Sequence, residues 1–348
     1  MEQLSEFYIK IDSILTEKTG NPEWSFEEAF EVPHDENPME SIHKALKRLK
    51  LFGIKKEDLK EISETAVKYE GYYLNYDFIA VEDRAADNAN YGNNHYEGPD
   101  AVHGTHVAGI IAADRNNEIG ARGVASDVVE IMTIRAVPDG DERDLDIANA
   151  IRYAVDNGAN IINMSFGKGL SPQEALVNNA LLYASENNVL VVHAAGNDSE
   201  NNDIVANYPN PYIGNGAKAA TFLTIGASAI SRKKDVVASF SNYGKEEVDI
   251  FSPGHDVYST VPNSEYKLLS GTSMAAPVAS GVAALVWAYH PDLSAVELKQ
   301  ILLDSATFLE KKKVKKPGNK QKVRFGELSA TGGIINAYNA FQMAATKG

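Results

Sequence analysis

The chain of 348 residues has no cysteine. That excludes a disulfide framework, a thiolate nucleophile and Cys-ligated zinc. It is short of positive charge: 33 Lys and Arg stand against 48 Asp and Glu, a formal net charge of −15. A nucleic-acid binder needs a basic face, so the balance argues against that class and for a soluble acidic protein. One basic run does occur, from Lys311 to Lys322, broken by Pro317 and Gly318; it reads as a solvated loop. No stretch reaches the ~18 consecutive apolar residues of a membrane-crossing helix, and no membrane-spanning segment is expected. The first twenty residues carry charge throughout and lack the basic start of a signal peptide. A complete chain would therefore be cytoplasmic, whereas a fragment would leave secretion open.

What remains is an ordinary globular composition, 44% hydrophobic and 23% charged. Residues 1–71 read as charged helices forming an insert or appendage. Leu4, Phe7, Tyr8, Ile11, Ile14 and Leu15 follow a helical period. Asn37-Pro38-Met39-Glu40 opens a second helix, and a third is expected over 56–70. Residues 72–100 read as extended segments and loops rich in Tyr, Asn, Asp and Gly.

Residues 72–348 are expected to form the main domain, and from about 100 strands and helices alternate. Strands are predicted at 130–134, 160–164, 189–193, 221–225 and 248–251. Helices are predicted over 145–157, from a Ser171/Glu174 capping box to 186, and from Ser273 to just before Pro291. The strand at 189–193 is nearly all apolar, as one covered on both faces should be. This is an α/β class: a three-layer sandwich with a mainly parallel central sheet, preceded by the helical insert.

Three glycine-bounded motifs carry the chemistry: His103-Gly104-Thr105-His106-Val107-Ala108-Gly109, His193-Ala194-Ala195-Gly196-Asn197 and Gly271-Thr272-Ser273-Met274-Ala275-Ala276-Pro277. Ser273 opens a helix, where free backbone N–H groups and a partial positive charge favour a serine whose attack creates an oxyanion. A neutral imidazole at His103 can take the hydroxyl proton and return it to a leaving amine. Asn197, after an apolar strand and a glycine, can donate an amide hydrogen to a developing oxyanion. Alone, each has an ordinary reading: an N-cap serine, a hydrogen-bonded histidine, a loop asparagine. His103 and His106 have the spacing of a metal pair, but no third ligand accompanies them.

Together, and in this order, the motifs resemble the subtilases, the subtilisin-like serine peptidases, over about residues 100–345. Gly120, Gly123, Val124 and Ala125 fit the turn after the histidine helix, and Ser329–Gly333 with Ile335-Asn336-Ala337 resembles the start of the last helix. The resemblance implies a serine endopeptidase acting on polypeptides, with Ser273 as nucleophile, His103 as base and Asn197 in the oxyanion hole. It implies that Ser165, Phe166 and Gly167 bind substrate backbone by strand addition and that Ala194, Ala195 and Gly196 wall the pocket before the cut. No cofactor is required. Asn116, Asn117, Ile119 and Ala121 resemble a loop that binds structural calcium in many subtilases, and a secreted or cell-envelope setting is implied. The family's Asp-Ser-Gly or Asp-Thr-Gly is missing. Asp12 and Asp83 are the candidates for it within the chain, and a fragment that begins after the missing strand is the preferred reading. The alternative is a pseudoenzyme that kept the fold as a binding scaffold. An α/β-hydrolase esterase fails on motif order, since Asn163 stands where its first glycine belongs.

Overall fold

The computed structural model describes the chain except residues 1, 34–37, 52–53, 61–62, 64–93, 97, 99, 138–141, 214–215, 230–235 and 348. Two compact units emerge, one from residues 1–88 with 139–141, the other from 89–138 with 142–348.

In the first unit, α1 (Glu2–Thr19), α2 (Phe26–Glu31) and α3 (Met39–Leu51) enclose a small core of Ile11, Leu15, Trp24, Ala29, Ile42, Leu46 and Leu59. Ser25 and Glu28 close a reciprocal capping box at the start of α2. Residues 56–60 and Ser63 are helical; the other residues of the predicted third helix and the Asn37 cap fall outside the described residues.

In the second unit, α4 (Val102–Ala112), α5 (Asp144–Asp156), β1 (Ile161–Met164), α6 (Glu174–Glu186) and β2 (Leu190–Ala194) come first. The ribbon β3 (Tyr212–Ile213) with β4 (Ala217–Lys218) precedes β5 (Phe222–Ser228) and β6 (Ile250–Pro253). A hairpin of β7 (Val257–Val261) and β8 (Glu265–Leu269) leads into α7 (Thr272–Tyr289) and α8 (Ala295–Asp304). The chain ends with β9 (Thr307–Phe308), the hairpin β10 (Lys313–Lys315) and β11 (Lys322–Arg324), β12 (Gly333–Ile334) and α9 (Ala337–Ala345).

The sheet runs β1-β2-β5-β6-β12-β9, parallel from β1 to β12 and antiparallel at β9. Side chains alternate across β2. Leu190, Val192 and Ala194 pack with α7 and α8, while Val189 and Val191 pack with α5 and α6. Helices thus cover both faces, the three-layer α/β arrangement expected.

Two local expectations fail. Residues 130–134 form no strand: with no ladder partner among the described residues, Ile131 and Met132 stay 43% and 42% exposed. Ser171 does not cap α6. Its hydroxyl instead donates to the buried Asp144 carboxylate at 2.7 Å, which also accepts the Gln173 amide at 2.7 Å. Among the described residues α7, residues Thr272–Tyr289, is long and apolar enough to cross a membrane by length and composition alone, and 67% of it is buried inside the unit, as in the core helix of a globular protein.

Candidate active site

Ser273 is the second residue of α7, whose N-cap is Gly271. Gly271 is set by a backbone bond to the Gly254 carbonyl at 2.8 Å. A Cβ on Gly254 would lie 2.7 Å from the Gly271 carbonyl, so only glycine permits this approach. The small residues Ala275, Ala276 and Ala279 are fully buried and let α7 press against the sheet.

Pro277 lies one turn beyond Ser273 inside this helix. Lacking an N–H, it cannot donate to the Ser273 carbonyl four residues back. The Ser165 hydroxyl takes that place, donating to the Ser273 carbonyl at 2.8 Å. In return the Ser273 hydroxyl donates to the Ser165 carbonyl at 3.1 Å. A polar relay backs this contact: the Asn163 amide donates to Ser165 Oγ, and Ser280 Oγ donates to Asn163 Oδ1, each at 2.9 Å.

Asn197 follows Gly196, whose φ of 107° suits glycine. Its Oδ1 accepts the Thr272 backbone amide at 2.8 Å and the Thr272 hydroxyl at 3.0 Å. Thr272 Oγ1 in turn accepts the Gly196 amide at 3.1 Å. Two donors at the carbonyl fix the amide's orientation. Asn197 Nδ2 and the Ser273 backbone N–H are left with no protein acceptor among the described residues. The helix start thus offers two unpaired donors beside the serine, where its partial positive charge is also concentrated.

His103 stands in the first turn of α4, and α4 packs against α7. The β7–β8 hairpin anchors α4: Thr260 Oγ1 donates to the Thr105 carbonyl at 3.0 Å, and Ser259 Oγ to the His106 carbonyl at 2.8 Å. This seating demands Gly109, where a Cβ would lie 2.1 Å from Thr260 Oγ1. His106 is fully buried and gives its Nε2–H to the Lys267 carbonyl at 3.0 Å, so that nitrogen is committed to the backbone. His103 keeps an exposed edge. Partial burial of its ring still depresses its pKa, helped by the charge of His106 and opposed by Asp100. No hydrogen bond joins His103 to Ser273 among the described residues; the serine proton is turned to Ser165 instead.

Of the carboxylates considered for a third member, Asp83 lies outside the described residues. Asp12 belongs to the helical unit's own packing, accepting Trp24 Nε1–H at 2.9 Å and facing Lys56 Nζ at 3.7 Å.

Ser165, Phe166 and Gly167 continue from the end of β1, and Ala194–Gly196 from the end of β2. Asn207 links the two segments, a role with no visible signal in the sequence. Its Nδ2 donates to the Ala194 carbonyl at 3.2 Å, and a Cβ on Gly167 would meet its Oδ1 at 2.6 Å. Thr272 and His193 also escaped notice, although both stand inside the motifs.

In the 116–121 loop the two asparagine side chains are engaged within the protein. Calcium needs six or more converging oxygens. Asn117 Oδ1 instead accepts the Ile119 amide at 3.1 Å, and Asn116 turns its Nδ2 toward Asp127 at 3.1 Å. No cluster of three or more His, Asp or Glu suited to a metal occurs among the described residues.

The chain is similar to known proteins over most of its second unit. The chain is 36% identical over 217 residues to the cell wall-associated protease of Bacillus subtilis (strain 168), covering 62% of this chain and 22% of that protein. It is 39% identical over 208 residues to subtilisin BL of Lederbergia lenta, covering 60% and 71%. It is 41% identical over 205 residues to the halolysin-like extracellular serine protease Nep of Natrialba magadii, covering 59% and 35%. Among solved structures, sphericase superposes with a TM-score of 0.54 at 31% identity, covering 66% of this chain and 77% of that one. Apart from subtilisin BL, the chain spans about half or less of these curated relatives' length. The subtilase family model matches residues 34–326. Motifs, parallel sheet and family match coincide, and the chain belongs to the subtilase family of serine peptidases.

Proposed function

We propose that this chain is the catalytic part of a serine endopeptidase, with Ser273 as nucleophile, His103 as general base and then acid, and an oxyanion hole made by Asn197 Nδ2 and the Ser273 backbone N–H. The observation that carries it is the pair of unpaired donors at the α7 start, held there by the Thr272–Asn197 bonds. In the reaction, the Ser273 proton leaves Ser165 for His103 as Oγ bonds to the scissile carbonyl carbon. The carbonyl oxygen gains negative charge between the two donors, where preorganised dipoles act most strongly. Return of the proton to the departing amine leaves an acyl-enzyme, which water hydrolyses by the same route.

Substrate backbone lies along Ser165–Gly167 as an added strand, and the side chain before the cut faces Ala194–Gly196. Polypeptides are the substrate class. The extracellular and cell wall-associated relatives support a secreted or envelope setting.

A second reading, a scaffold without turnover, is favoured by one fact: among the described residues no carboxylate hydrogen-bonds to His103. A fluorophosphonate probe separates the two. Labelling at Ser273 that vanishes in Ser273→Ala supports the peptidase; an unlabelled wild-type chain overturns it.

A further inference from the structure

We propose that His193 is a positioning residue for peptide binding: its ring holds the Phe166 carbonyl and so fixes the edge along which an extended substrate lies. The inference deepens the peptidase reading above and rests on it.

An imidazole is out of place in this strand. All of β2 is buried, and His193 is 1% exposed. A polar group in such a site is costly unless it is hydrogen-bonded. Alternation puts His193 on the face of Val189 and Val191, where its ring meets Phe166 edge-on at 6.5 Å and lies 5.5 Å from Phe222. Its Nε2 is 2.9 Å from the Phe166 carbonyl oxygen. A carbonyl only accepts, so Nε2 carries the proton and the tautomer is fixed. Burial keeps the ring neutral, with its pKa lowered to about 4, so this donor persists across neutral pH.

The bond sits where regular pairing stops. The β1–β2 ladder ends at Met164 opposite His193. Beyond it, three successive residues are each held by a different element. Ser165 exchanges bonds with Ser273, the Phe166 carbonyl is held by His193, and Gly167 packs on the Asn207 amide. Lys168 then bridges to Tyr208 through backbone bonds of 2.9 and 2.8 Å. His193 is the sole side-chain donor to the Phe166 carbonyl among the described residues. No aliphatic residue at 193 could supply it.

The test compares wild type, His193→Ala and His193→Gln, the last keeping an amide donor. Each is assayed on a peptide with four residues before the cut and on a single-residue ester, and each is labelled with a fluorophosphonate. His193→Ala is expected to raise KM for the long peptide roughly tenfold more than for the ester, about the loss of one buried hydrogen bond. His193→Gln should recover most of that difference, and all three chains should label at Ser273. If wild type works and both substrates suffer equally in His193→Ala, or neither suffers, the positioning role is wrong. If His193→Ala fails to fold, His193→Leu, which fills the site without a donor, takes its place: a raised ratio of long-peptide to ester KM supports the role, and a wild-type ratio overturns it. A wild-type chain that neither labels nor cleaves would instead sink the peptidase reading, and this inference with it.

Discussion

Ser165 and Ser273 hold each other by a reciprocal pair of bonds, hydroxyl to carbonyl in both directions, at 2.8 and 3.1 Å. The proposed nucleophile is thereby tied to the proposed substrate edge. Asn197 faces the same helix start through Thr272.

Replacing Asn197 by Leu removes one of the two proposed oxyanion donors. Turnover on a peptide substrate should fall about 10²–10³-fold with little change in KM, the magnitude known for the oxyanion asparagine of subtilisin itself. Steady-state kinetics would show it. An unchanged kcat would remove Asn197 from the oxyanion hole.

The acid limb of kcat/KM should report His103, since only the neutral ring can accept the Ser273 proton. Partial burial depresses its pKa first, then the charge of His106, with Asp100 opposing. The midpoint should therefore lie below the ordinary 6.5, with activity lost as the ring is protonated. Asp100→Asn should move the limb to still lower pH. A limb above 6.5 would point to a carboxylate bound to this imidazole.

Stability should also fall on acidification through His193. Its folded pKa is about 4 against an ordinary 6.5, so between those values the unfolded chain binds a proton that the folded chain refuses. The penalty is absent above 6.5 and full below 4, reaching about 3 kcal/mol. Denaturant titrations of wild type and His193→Gln should converge in slope above pH 6.5 and diverge below it.

Asp144 is 2% exposed. It pairs with Lys168 Nζ at 2.9 Å and accepts from Ser171 and Gln173. Asp144→Ala strands the Lys168 charge in the interior and should cost about 3–5 kcal/mol. A thermal melt within a degree of wild type would contradict this burial.

The sequence made much of this layout legible, for identifiable reasons. The apolar run at 189–193 and the glycine-bounded motifs are local signals, and each lies at the edge of the strand or helix expected from it. The predicted strand at 130–134 failed because a strand is defined by its neighbour, which apolar spacing does not reveal. Ser171 has the look of a cap, but a buried carboxylate 27 residues away competed for its hydroxyl. Asn207 was invisible because its importance is a meeting of two distant segments. His193 was read as one letter of a motif, and only its depth in the sheet set it apart.

Pro277 gives the helix of the proposed nucleophile a dependence on distant chain. The Ser273 carbonyl, denied an amide from its own helix, is satisfied by a hydroxyl at the end of β1, 108 residues earlier. Before the sheet is assembled, that oxygen can be served only by water. The first turn of α7 is thus completed only when the end of β1 lies beside it, the same contact that ties the Ser273 hydroxyl to the proposed substrate edge.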